Sequence, residues 1–221
     1  MRSRPQRFDL IVFDWDGTLY DSTALIVRAI QAAALDLGLT PPPRERAAHV
    51  IGLGLVDAMQ HAMPGLPEAR YLEMGQRFRH HYAHGQGELT LFEGVPELLR
   101  ELQARHHWLA VATGKTRRGL DEALQQSGLH ALFDGSRTAD ETASKPHPQM
   151  LFELMREFGA EPERTLMVGD TSHDLSLARN AGCASLAVAW GAHELPALQA
   201  CEPLAIAHDM AQLQAWLLQH A

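Results

Sequence analysis

Thiols are nearly missing from this chain: Cys183 and Cys201 are the only two in 221 residues, with no CxxC and no zinc-like spacing. That argues against a disulfide framework or a thiolate zinc site, and fits two reduced, mostly buried thiols in a cytosolic protein. Positive charge is scarce as well. The formal net charge is −8 and the sequence pI about 5.9, which speaks against a general nucleic-acid surface. No apolar run approaches the length of a membrane span. The basic stretch Met1 to Arg7 runs directly into a short strand pattern rather than into a signal-peptide core. Internal repeats and long low-complexity segments are absent. The expectation is a soluble cytoplasmic protein without nucleic-acid or membrane partners, a monomer or homodimer.

Two loop motifs and a histidine pair also fall short. Gly114-Lys115-Thr116 resembles the end of a nucleotide P-loop, but Leu109 stands where the first glycine is required. Gly52-Leu53-Gly54 follows no strand and fails as a dinucleotide loop; as a loop over an active site it is plausible. His80 and His84 are four apart on a helix, without HExxH, and read as a solvated face.

What is present is a hydrophobic content of 46%, enough for one large domain or a core with a smaller insert. Leu10 to Phe13 reads as a buried strand, and it runs into Asp14-Trp15-Asp16-Gly17-Thr18. Aspartate is a poor strand residue and glycine after it signals a turn. In extended chain, residues i and i+2 point the same way, so Asp14 and Asp16 are expected to converge. Two such carboxylates repel unless one is protonated or a cation sits between them. An acid beside a nucleophile and a hard metal site are both open.

From Thr23 to Gly87 the pattern is helical. Thr23 to Leu37 has one apolar face and a start that Thr23 can cap; Arg44 to Met63 is helical apart from the glycines near 52; Glu68 to Ala83 is another helix. Beyond residue 90 strands and helices alternate. Strands are expected at Trp108–Ala112, near Leu132–Arg137, and at Thr165–Val168, Ala184–Ala189 and Leu204–Ala207. Helices are expected at Val95–Ala104, from a Thr116 cap to Ser127, at Gln149–Phe158, from a Ser172 cap to Ala181, and at Met210–Gln219. This is an α/β chain with a parallel sheet and helices on both faces. The first two strands lie roughly ninety residues apart, where a βαβ unit needs about thirty. The excess reads as an inserted all-α cap over residues 20–87, leaving 1–19 and 88–221 as the core.

Four strand ends then carry polar residues: Asp14/Asp16, Thr113-Gly114-Lys115, Lys145, and Asp170/Asp174. Parallel strands bring these ends to one edge, where open α/β sheets bind ligands. Asp170 and Asp174 offer the oxygen ligands that Mg2+ prefers, with complementing a helix dipole the lesser reading for Asp174. Thr113 and Gly114 provide a hydroxyl and N–H groups at a helix start, an anion site. Lys115, Arg117 and Arg118 add positive charge there, for an anion or as a plain solvated face. Lys145 could balance the carboxylates and hold a phosphoryl oxygen.

Asp14-Trp15-Asp16-Gly17-Thr18-Leu19, Ala112-Thr113-Gly114, Lys145-Pro146 and Gly169-Asp170-Thr171-Ser172-His173-Asp174 resemble, in order, the four motifs of the haloacid dehalogenase superfamily. The helical insert is similar to the small cap of its phosphoglycolate-phosphatase-like members, and Phe92-Glu93-Gly94-Val95 to their return from cap to core. The resemblance implies a Rossmann-like core and a Mg2+-dependent phosphatase of a small phosphorylated metabolite, phosphoglycolate first. It implies Asp14 as nucleophile and Asp16 as acid and then base. Thr113, Gly114, Lys145 and Lys115 would bind phosphate. Asp14, the Asp16 carbonyl and Asp170 would hold the metal, with Asp174 in support. The resemblance also implies that Asp14 and Asp16 titrate as a coupled pair. Halide-removing members usually lack the second carboxylate, so Asp16 favours a phosphatase. A phosphomutase would share all four motifs, and a non-catalytic phospho-aspartate switch is the reading from another class. Trp15 departs from the usual aliphatic residue and is expected to point away from the pair.

Overall fold

The computed structural model describes residues 7–221; the basic start lies, up to residue 6, outside them. In chain order the elements are β1 (Leu10–Phe13), α1 (Thr23–Asp36), α2 (Arg44–His49), α3 (Leu55–Ala62), α4 (Tyr71–Gly85), α5 (Val95–Ala104), β2 (Trp108–Thr113) and α6 (Arg117–Ser127). They continue with β3 (Gly135–Thr138), α7 (Gln149–Phe158), β4 (Thr165–Gly169), α8 (Ser172–Ala181), β5 (Ala184–Val188), α9 (Leu195–Gln199), β6 (Ile206–Ala207) and α10 (Met210–His220). The strands form one parallel sheet in the order β3-β2-β1-β4-β5-β6, the expected Rossmann-like α/β core.

β1 lies at the centre, with Leu10 in register with Trp108 on one side and Thr165 on the other. All four of its residues are 0% exposed because successive side chains enter opposite layers. Ile11 and Phe13 join Leu98 and Leu99 of α5 and Leu213 of α10, while Leu10 and Val12 join Met150 and Leu154 of α7 and Leu177 of α8. Each such aliphatic side chain contributes about 1.5–3 kcal/mol on burial. Packing of this kind on both faces of one strand fixes its C-terminal end, and with it the acidic turn beyond Phe13.

The helical segment has a core of its own. Ile26, Val27 and Ile30 of α1 pack with Val50, Met59 and Met74 from α2 to α4, apart from the two sheet layers. Two neighbouring connectors join this cap to the sheet. Tyr20 bridges Leu91 in antiparallel fashion, Asp21 N–H donates to the Thr90 carbonyl at 3.0 Å, and Phe92 N–H donates to that of Leu19 at 3.1 Å.

Local differences from the sequence expectations have simple causes. The residue before α1 is Ser22, not Thr23, and its hydroxyl does not cap the helix because Asp16 takes it. α8 is capped by Thr171 rather than Ser172, in a reciprocal capping box with Asp174. The residues from Glu68 begin as a 3₁₀ turn, and α4 starts only at Tyr71. The five-residue α9, begun by Leu195-Pro196, is too short to show a period in the sequence. Cys183 and Cys201 are free, as expected, and half-buried rather than mostly buried.

Candidate active site

Asp14, just past the end of β1, is still tied to the sheet: its N–H donates to the Val168 carbonyl at 2.9 Å. The chain then turns through Gly17 at φ 85°, and a Cβ there would overlap the Asp170 carboxylate. A side chain at this position would be strained twice, by the backbone and by its neighbour. The Trp15 ring leaves the site for the core, with centroids 5.6 Å from Tyr20 and 6.5 Å from Phe133.

Asp14, Asp170 and Asp174 come together from the ends of β1 and β4 and the first turn of α8, with an oxygen of each within 4.8 Å of the others. Lys145 reaches in from the loop before α7 and donates to Asp14 Oδ1 at 2.5 Å and to Asp174 Oδ1 at 2.6 Å. All four residues are at most 1% exposed. The second oxygen of Asp174 accepts from the Thr171 N–H at 3.0 Å and its hydroxyl at 2.7 Å. Asp170 accepts from the Thr18 hydroxyl at 2.8 Å and from the Ala192 N–H at 2.7 Å. Asp14 Oδ2 alone among the oxygens of this cluster is buried with no hydrogen-bond partner.

One ammonium among three buried carboxylates leaves an excess of negative charge. Burial, reinforced by the neighbouring carboxylates against the pull of Lys145, raises Asp14 well above the usual carboxylate range. Burial and Asp174 push Asp170 up to about 7. Burial alone would lower Lys145, but Asp14 and Asp174 outweigh it and hold the ammonium charged. An orphaned carboxylate oxygen beside two further oxygen donors, in a site short of positive charge, suits a hard divalent cation. Asp14 Oδ2 accepts no hydrogen bond and each oxygen of Asp170 accepts one from a neutral donor, so both retain lone pairs for such an ion, whereas Asp174 has one oxygen on the Lys145 ammonium and the other accepting twice from Thr171.

Asp16 faces another way. Its Oδ1 accepts from the Ser22 hydroxyl at 2.7 Å and pairs with Lys115 at 3.0 Å. Lys115 also donates to the Tyr82 hydroxyl at 3.2 Å, reaching across to the cap. The charges acting most strongly on Asp14 are those of Lys145, Asp174 and Asp170. The Asp16 side chain is no member of the acid cluster, so only its backbone carbonyl remains as the metal donor expected there. Lys115 does lie at the site, but its ammonium is engaged by Asp16 and Tyr82.

Thr113 ends β2, buried, and its hydroxyl accepts from the Lys115 N–H at 3.2 Å. Gly114 lies under the cap loop so closely that a Cβ would come within 2.6 Å of the Gly52 and Leu53 carbonyl oxygens. The Gly54 N–H donates to Ser144 Oγ, one residue before Lys145, at 2.8 Å. The glycines near 52 thus do cover the site. Arg117 and Arg118 pair with Glu141 and Glu122 at 2.7 Å and 2.8 Å, as a solvated face would. The sequence reading missed Thr18, Ser22 and Tyr82, and it missed the fifth strand end, Gly191-Ala192-His193. A glycine soon after β5, at the edge where the other ends collect, was the available signal.

Three comparisons with known proteins place this geometry. A family profile for haloacid dehalogenase-like hydrolases matches residues 11–188, and the chain belongs to that family. It is a hydrolase of the family's phosphatase type. The Dickeya dadantii protein named "Probable phosphatase IndB" is 37% identical over 92% of this chain and 91% of its own length. A 5'-nucleotidase of Pseudomonas aeruginosa is 32% identical over the full length of both. The crystal structure of a predicted phosphoglycolate phosphatase from Haemophilus somnus superposes with a TM-score of 0.85 at 27% identity, covering 98% of this chain and 99% of that one. No helix among the described residues is long and apolar enough to cross a membrane.

Proposed function

We propose that the chain hydrolyses a small phosphorylated metabolite with the help of Mg2+, through a phosphoryl group carried by Asp14. The observation behind this reading is the asymmetry of Asp14: Lys145 holds Oδ1, and Oδ2 is buried without a partner. A nucleophile so oriented attacks phosphorus in line while the ester P–O bond breaks. Asp16 gives the departing alkoxide its proton. Once the alcohol has left, the Asp16 carboxylate takes a proton from a water that attacks the same phosphorus, and the P–O bond to Asp14 breaks to release inorganic phosphate. Thr113 and the Gly114 N–H hold phosphoryl oxygens, and Lys145 neutralises their charge. Asp14, Asp170 and the Asp16 carbonyl are the donors for Mg2+, supported by Asp174. When bound, the ion supplies further neutralisation of the phosphoryl charge.

The separate packing of residues 26–74 and the paired connectors at 19–21 and 90–92 support a division into a core of 1–19 and 88–221 and a cap of 20–87. The names of the relatives, a 5'-nucleotidase and a phosphoglycolate phosphatase among them, support phosphomonoesters as substrates. The test is release of phosphate from p-nitrophenyl phosphate with Mg2+ and with EDTA, followed by acid quenching and mass analysis of the peptide that contains Asp14. Turnover that EDTA stops, and a phosphorylated Asp14 peptide, are expected. No turnover with any divalent metal ends the phosphatase reading, and turnover without a trapped phosphopeptide ends the nucleophile assignment.

A further inference from the structure

A cavity of ≈ 620 Å³ lies between cap and core. It starts at Asp16 and Lys115, where the proposed reaction protonates the leaving oxygen, and extends between α1, α3 and α4. Its walls are mostly apolar and aromatic, among them Ile26, Ile30, Leu53, Met59, Phe78 and Tyr82, with Gln86 and Thr116 as neutral polar members. Phe78 and Tyr82 stand side by side, with ring centroids 5.8 Å apart. A volume of several hundred Å³ with such a lining is that of a site for a drug-sized ligand.

The charges around this space are mostly committed. Lys115 serves Asp16 and Tyr82, and Arg118 pairs with Glu122 at 2.8 Å. Arg79, exposed at the mouth, is the remaining charged lining residue and has no ion pair among the described residues. The carboxylate of a two-carbon substrate such as phosphoglycolate would sit against aliphatic and aromatic walls, and the one cation left to pair with it, Arg79, is exposed and screened by solvent. It would also leave most of the cavity to solvent. A ring-bearing alcohol meets neither problem. The Tyr82 hydroxyl accepts from Lys115 and keeps its own proton to donate, so one polar atom on the ring can be read.

We propose that the substrate is a phosphomonoester whose alcohol carries a ring system of nucleobase or aryl size, and that this cavity seats the ring. The proposal rests on the phosphatase reading and replaces phosphoglycolate within it.

The experiment compares kcat/KM for phosphoglycolate, acetyl phosphate, a purine and a pyrimidine nucleoside 5'-monophosphate, and 1-naphthyl phosphate. At least one ring-bearing ester is expected to exceed phosphoglycolate by about 100-fold, a size that lost apolar contacts account for. Phosphoglycolate equal to or better than every ring-bearing ester overturns the proposal and leaves the phosphatase reading intact. No phosphate release from any of them, acetyl phosphate included, overturns both. Ala58→Phe, which narrows the cavity, is expected to lower the ratio of ring-ester to acetyl-phosphate kcat/KM at least about tenfold. An unchanged ratio counts against the proposal. Should that variant not fold, the wild-type series still decides.

Discussion

Two lysine–aspartate pairs lie on either side of Trp15, and they differ in burial. Lys145 and Asp14 have side chains 0% and 1% exposed, with two further carboxylates beside them. Lys115 and Asp16 are 12% and 10% exposed, border the cavity, and lean on a cap tyrosine. The first pair is enclosed by the sheet and shares its charge with a cluster. The second faces the space between cap and core. In the proposed reaction the same two residue types would serve charge neutralisation in one place and proton transfer in the other, because solvent access and neighbours differ.

Removing each carboxylate separates the pairs most sharply. Asp14→Asn is expected to lower kcat by at least about 10⁴-fold, since a covalent step disappears. Asp16→Asn is expected to lose about 10²–10⁴-fold, the usual range for a general acid–base. Steady-state phosphate release measures both, and an Asp14→Asn enzyme as active as wild type would erase the distinction.

Removing each lysine tests burial. Lys145→Met leaves three carboxylates without their ammonium and is expected to cost about 3–5 kcal/mol of stability in urea. Lys115→Met leaves Asp16 with Ser22 and is expected to cost only about 1 kcal/mol. Equal losses would show that the two pairs are energetically alike.

The smallest effect lies away from both pairs and calibrates them. The Arg117 guanidinium holds the Glu141 carboxyl down to about 2. A depressed carboxyl contributes stability above its unfolded range, near pH 4.5, and that contribution fades as pH falls toward about 2. Because Glu141 is 40% exposed, screening reduces it to about 0.5 kcal/mol. Glu141→Gln should flatten this acid limb in denaturation curves taken between pH 2 and 5.

The sequence made much of this legible. The helices over Val95–Ala104 and Gln149–Phe158 have the bounds their apolar period indicates. The continuous apolar run of β1 reads as a strand buried on both faces, and the ninety-residue gap reveals the helical insert. Side-chain direction was less visible. Extended geometry brings Asp14 and Asp16 to one strand end, but not to one partner: the strand ends at Phe13 and the turn through Gly17 gives each carboxylate its own lysine. Thr171 and Ser172 are both good caps on paper, and the capping box with Asp174 selects the first.

Local chemistry is written in the order of residues: where strands end, where glycine allows a turn, which carboxylates come in pairs. Those features by themselves determined the fold class, the family and the set of polar residues at one sheet edge. The partners of those residues come from far along the chain, Lys145 to Asp14, Thr18 to Asp170, Tyr82 to Lys115. Only tertiary packing decides such pairs, because burial sets which charges must meet and the cap's position sets how much apolar space is left above Asp16.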